Sequence, residues 1–209
     1  GTVSEELLTG KTPIGIVFDE ANRLAVSLTN IKKDGRAGVE IINTNGECIT
    51  NGECVIWSAS TYDTPLTNCD FLYLNNSQTQ DTATMALCEP DGQKNTITLL
   101  KQSQGAPYIS AQAVNNFKVT GCQKEFCYVG KWFIPSIRDF YNIYKNLSAI
   151  NTILEQMNSF GAKPMIHSYW TSNEYTEYYE MVFVFDKNDR PGRVARSGKT
   201  ADYSSSYIR

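Results

Sequence analysis

Gly130-Lys-Trp-Phe-Ile-Pro-Ser136 opens a stretch that runs through two helical segments to Ser168-Tyr-Trp-Thr-Ser172. Pro135-Ser136 reads as a helix start, because a serine at that point can accept from the free amides of the first turn. Ser136-Ile-Arg-Asp139 fits a capping box, with Asp139 at the third helical position. Ile137, Phe140, Tyr141 and Tyr144 then recur at i, i+3, i+4 and i+7, which predicts one buried stripe. Ser148 is placed to cap a second helix that carries Ile150, Ile153, Leu154 and Met157 at the same spacing. Phe160-Gly161 is placed to end it.

Beyond Pro164 the period falls to two. Met181, Phe183 and Phe185 alternate with Val182 and Val184, which predicts a strand buried on at least one face. Asp186-Lys-Asn-Asp-Arg190 reads as a turn, and residues 192–196 and 203–209 as two further strands. The end of the chain therefore reads as an antiparallel meander that follows helices, an α+β layout.

Upstream, Ile14-Gly-Ile-Val-Phe18 and Leu24-Ala-Val-Ser-Leu28 read as strands joined through Asp19-Glu-Ala-Asn-Arg23 in a hairpin. Val39-Glu-Ile-Ile-Asn43 is a third strand candidate. A small tandem repeat follows, Thr44-Asn-Gly-Glu-Cys-Ile49 and Thr50-Asn-Gly-Glu-Cys-Val55. Each copy holds Asn-Gly, a strong turn signal, but two short copies do not make a solenoid. Val55-Ile-Trp57 reads as a return to the sheet. Residues 58–93 are polar and read as long loops, followed by helical runs at 95–102 and 110–117 with Ser110 as N-cap.

The chain has 209 residues, a 41% hydrophobic and 20% charged composition, and a formal net charge of −3. This is a globular composition with room for a substantial core. The acidic balance argues against nucleic acid as the main ligand, because phosphate binding draws on a basic face. No apolar run approaches the length of a membrane span. The six cysteines are Cys48, Cys54, Cys69, Cys88, Cys122 and Cys127. Their even number and their spacing favour disulfides over zinc, and no metal site is expected. Cys122–Cys127 is the first pairing expected, because the segment between them is short and polar; Cys48–Cys54 and Cys69–Cys88 would complete the set. Reduced, buried thiols are the alternative.

The order Trp132-Phe-Ile-Pro-Ser136, two helices, Tyr169-Trp-Thr-Ser172, strand, turn and closing Tyr207-Ile-Arg209 resembles the bacterial C-type-lectin-like domains related to the formylglycine-generating-enzyme fold. Their pattern runs Trp-x-Leu-Pro-Ser/Thr, helix, Tyr-Trp-Ser-Ser, strand and Val-Arg. The departures, Ile134 and Thr171, are mild. The resemblance implies a C-type-lectin-like fold with mixed or antiparallel strands, about two to four helices and long disulfide-pinned loops. One domain over 1–209 is implied: N-terminal strands and hairpin at 1–57, a loop-rich insert with short helices at 58–129, and the family core with a binding face at 130–209. Scaffold roles would fall on Trp132, Pro135, Trp170, Ser172 and Arg209. Such domains occur on collagen-like adhesins and pilin-like surface proteins, and as the variable proteins of diversity-generating retroelements. An extracellular or cell-surface setting, pilus- or virion-associated included, is thus implied.

Enzyme chemistry finds few residues. Formylglycine generation needs a reactive cysteine pair in the C-terminal half, and no cysteine follows Cys127. A Ser/His/Asp site would have to use His167, the single histidine. Glu89-Pro-Asp91 lacks the Trp-Asn-Asp partner of sugar-binding lectins, and Asp186-Lys-Asn-Asp189 lacks a full calcium ligand set. No cofactor is expected.

The binding reading rests on tyrosine. Six of the chain's twelve tyrosines fall between Tyr169 and Tyr207. Tyrosine mixed with Ser, Asn and Arg is the composition of paratopes, although tyrosine is also a good strand former. Asn173-Glu-Tyr-Thr-Glu-Tyr178 has no aliphatic residue to bury and is expected to be exposed. The candidate ligand-binding residues are Asn173, Glu174, Tyr175, Glu177, Tyr178, Arg193, Arg196, Lys199, Tyr203 and Ser205. The expected partner is a protein or glycan on a target surface, with no nucleic acid. A structural pilin-like subunit is the alternative, and an enzyme of the same fold the third reading.

Overall fold

The computed structural model of the chain describes residues 8–32, 34–38, 55, 57–58, 79–80, 91–102, 108–119, 121–185, 192–199 and 206–207. Nine strands and four α-helices occur among them. Strands β1 (Gly15–Asp19) and β2 (Leu24–Ser27) form the predicted hairpin, and β3 (Asn30–Ile31) pairs with β4 (Ala37–Gly38). After β5 (Thr79–Gln80) come helices α1 (Gly92–Gln102), α2 (Ile109–Asn116), α3 (Ile137–Lys145) and α4 (Leu147–Gln156). Strands β6 (Ser168–Glu174), β7 (Tyr179–Val184), β8 (Arg193–Gly198) and β9 (Ser206–Tyr207) close the chain. The layout is α+β, as the change of period predicts.

The main sheet has five strands in the order β5-β8-β7-β6-β9. The β5–β8, β8–β7 and β7–β6 pairs are antiparallel, while β9 runs parallel to β6. The expected meander is therefore corrected at its last step: the chain crosses over to the outer side of β6.

Alternation along these strands sends side chains into two cores. On one face Tyr169, Met181, Phe183 and Val194 join Phe140, Ile143, Leu154 and the hairpin residues Ile16 and Val26. On the other face Trp170 and Val182 join Trp57, Leu99, Val114 and Ile134. The sheet is thus a middle layer, with α3, α4 and the β1–β2 hairpin on one side and α1 and α2 on the other. Both faces of β7 are covered, which explains its nearly continuous apolar run.

The quoted motifs hold the layers together. Ser136 caps α3: its hydroxyl accepts from the Asp139 amide, and its own amide donates to Asp139 Oδ2 at 2.9 Å. The same Oδ2 accepts from the Gly92 amide at 3.1 Å, so the carboxylate that caps α3 also caps α1. No larger residue fits at Gly92, where a Cβ would lie 2.5 Å from Asp139 Oδ2 and 2.7 Å from the Ile134 carbonyl. The Ser172 amide donates to the Pro135 carbonyl at 2.9 Å, and the Ile137 amide to Asn173 Oδ1 at 2.8 Å. The proline-serine turn and the Tyr-Trp-Thr-Ser strand are therefore neighbours in space. Helix α4 stops at Gln156, short of the expected Phe160-Gly161 end; a 3-10 turn over Asn158–Phe160 follows, and Gly161 closes it in the left-handed conformation at φ 81°.

Several local expectations change. Helix α1 begins at Gly92, three residues earlier than its sequence pattern suggests, because its first amide is satisfied by Asp139. Ser110 does not cap α2; its hydroxyl donates to the Trp57 carbonyl at 3.0 Å. Ser148 does not cap α4, which starts at Leu147 directly after α3. Val55 and Trp57 are buried but do not pair as a strand. Trp57 donates its Nε1–H to the Thr171 carbonyl at 3.2 Å, and Trp170 returns one to the Val55 carbonyl at 2.8 Å. Cys122 and Cys127 are joined by a disulfide with Cα atoms 6.0 Å apart. Cys48, Cys54, Cys69 and Cys88, the tandem repeat up to Cys54, the 39–43 strand, the 186–190 turn and Arg209 lie outside the described residues. Among the described residues no helix is long and apolar enough to cross a membrane.

Candidate functional site

The β6–β7 hairpin divides the expected binding residues into a sealed base and an exposed tip. The tip is a tight turn. The Tyr175 and Thr176 amides both donate to the Tyr179 carbonyl, at 3.1 and 3.0 Å. Thr176 Oγ1 accepts from the Tyr178 and Tyr179 amides at 3.2 Å, the hydroxyl-to-backbone pattern that favours threonine in turns. The Lys199 amide ties the next strand in by donating to the Tyr178 carbonyl at 3.1 Å.

Side chains leave this turn in two directions. Tyr175 packs half-buried against the α3–α4 core. Glu177 is exposed, Tyr178 is 56% exposed and Tyr179 is 40% exposed. Arg196 of β8 lies across the sheet with its guanidinium 5.2 Å from the Tyr179 ring centre, a cation–π stack. Glu177 hydrogen bonds to the Tyr178 hydroxyl and holds the phenol above its ordinary value, so it stays a neutral donor. Two aromatic rings, a carboxylate and a guanidinium thus stand together on a braced turn. Arg193, half-buried, sits at the opposite end of β8 and does not join them.

The base corrects the sequence reading. Asn173, Glu174 and Lys199 are expected on the surface, and all three are buried. Asn173 is drawn in because its side chain receives the α3 amide of Ile137. Glu174 and Lys199 form a buried ion pair, and the Lys199 ammonium also lies 5.0 Å from the Trp57 ring. The absence of aliphatic residues in this segment signals polar partners rather than exposure. Nothing local reveals that, since Glu174 and Lys199 are 25 residues apart. Tyr203 and Ser205 lie outside the described residues.

Two residues of this region were absent from the sequence-derived set. Tyr179 carries the Arg196 stack; an alternating strand that ends in an aromatic was the available signal. Glu180 is the register partner of Glu174 and is fully buried, with neither carboxyl oxygen hydrogen bonded. Burial holds its carboxyl well above the usual carboxylate range. A charged carboxylate without a donor is costly there, so burial favours the protonated form of Glu180.

Of the expected scaffold residues, Pro135, Trp170 and Ser172 are buried and Trp132 is partly buried. His167 is half-buried, and its carbonyl accepts from the Phe185 amide at 3.0 Å. Among the described residues no group of three or more His, Cys, Asp or Glu side chains is arranged to hold a metal ion. Comparison with known protein families, with curated proteins and with solved structures finds no match to this chain.

Proposed function

We propose that the chain is a non-enzymatic recognition domain of C-type-lectin-like fold, displayed outside the cell, which meets a protein or glycan through the β6–β7 tip. The observation that carries this reading is the pair of exposed tyrosines, Tyr178 and Tyr179, with Arg196 stacked on one and Glu177 bonded to the other. Tyr and Arg are the residues most enriched at binding hot spots, and a rigid turn lowers the entropy lost on contact. The tip is braced by backbone bonds and stands on a sheet covered on both faces, so its side chains can change without disturbing the core. That separation also suits the diversification that the family resemblance implies.

A protein and glycan array tests the reading. The intact chain should bind a discrete set of spots, and a Tyr178→Ala, Tyr179→Ala, Arg196→Ala variant should lose them while its circular dichroism and unfolding midpoint stay close to wild type. Binding that survives the triple substitution would place recognition elsewhere.

A further inference from the structure

We infer that a second site, separate from the tip, takes a small amphipathic anion: an apolar or aromatic body carrying one carboxylate or sulfonate. It is a cleft of about 560 Å³ between the β1–β2 hairpin and the Lys131–Asp139 region, within the size range of small-molecule pockets. Phe18 and Leu24 line it from the hairpin, and Phe126, Phe133 and Ile143 from the other side. Phe126 is 57% exposed, an unusual position for a large apolar ring. It is held there by the short helical turn that ends at the disulfide-bonded Cys127.

Charge selects the head group. The ionisable residues of the wall are Arg23, Lys131 and Asp139. No carboxylate pairs with Arg23 among the described residues. Arg23 also takes a left-handed backbone conformation, φ 57°, which is unfavourable for a residue other than glycine and recurs at functional sites. Lys131 pairs with Glu125 at 2.7 Å, but both side chains are exposed, so the pair is weak and exchangeable. Asp139 is buried, and burial raises its carboxyl despite the donors on Oδ2, which lowers its repulsion of an anion. Apolar walls and two cations at the rim together describe an anionic amphiphile, not a neutral lipid or a cation.

Isothermal titration with decanoate, and with decyltrimethylammonium as the charge-reversed control, tests this on the intact chain. Decanoate should bind saturably at one site, at least tenfold more tightly than the ammonium. Arg23→Gly removes the guanidinium while favouring the same backbone conformation, and should weaken decanoate at least tenfold. Phe126→Ala, at a position 57% exposed, should weaken both chains. Tyr178→Ala should change neither, because the two sites are independent. Absence of saturable binding, equal affinity for the two head groups, or Arg23→Gly binding like wild type would overturn the inference.

Discussion

The start of α3 and the tip-proximal end of the main sheet both bury carboxyl groups, and they treat them in opposite ways. Asp139 is surrounded by backbone and hydroxyl donors: the Ser136 amide, the Ser136 hydroxyl and the Gly92 amide all reach its Oδ2. At the sheet end Glu174 is paired with the Lys199 ammonium, and neither carboxyl oxygen of Glu180 has a hydrogen-bond partner. The difference shows how position in the chain limits the means available. A helix start supplies free amides, so an acid near it is partly solvated by the fold itself, although burial still holds Asp139 above its ordinary value. A strand has already spent its amides on its neighbours, so an acid there needs a cation from elsewhere or a proton.

The largest effect should come from breaking the ion pair. Lys199→Met leaves Glu174 buried without its cation and should cost roughly 3–5 kcal/mol in urea unfolding. Adding Glu174→Gln should recover most of that loss, as apolar or neutral replacements of buried pairs are often tolerated. A single-variant loss below about 1 kcal/mol would mean that water reaches this end of the sheet. Next in size is Asp139→Ala, which removes the carboxylate half of the α3 capping box and orphans the Gly92 amide. We expect a loss of roughly 2–4 kcal/mol, with Asp139→Asn intermediate. Equal stability of Ala and Asn variants would show that the hydrogen bonds carry none of it.

Glu180→Gln should act in the other direction and depend on pH. The unfolded chain gives up this proton as pH passes the ordinary value of 4.5, whereas the folded chain keeps it well above that. Above the ordinary value the unfolded state therefore binds fewer protons, and wild-type stability falls as pH rises toward the folded value. The glutamine variant lacks that fall. It should match wild type near pH 4 and exceed it by a margin that widens as pH rises, in unfolding curves taken across the range. A constant difference at all pH values would show that Glu180 titrates alike in both states. The smallest effect on stability belongs to the tip: Tyr178→Ala should stay within about 0.5 kcal/mol of wild type.

The same contrast explains what the sequence discloses. The capping box at Ser136, the stripe from Ile137 to Tyr144, the alternation of Met181 to Phe185 and the Cys122–Cys127 bond all depend on residues a few positions apart. Their spacing states them. The α1 start is hidden because its cap, Asp139, lies 47 residues beyond Gly92. Glu174, Asn173 and Lys199 mislead for the same reason, since each is made buriable by a partner in another element. The parallel pairing of β9 is hidden because a strand of two residues carries no sign of which neighbour it joins. At the candidate site the exposed half, Glu177, Tyr178 and Arg196, is legible as composition, while the buried acid beneath it is not.

That last pairing has a further consequence. Ser206 and Tyr207 lie alongside Ser168 and Tyr169 and occupy the outer backbone groups of β6 there. These two residues act as a stopper. A chain shortened ahead of Ser206 would present that stretch of β6 as an open template, ready to zip to the same stretch of another molecule. Solubility and self-association of such a shortened chain would thus be governed by a strand only two residues long.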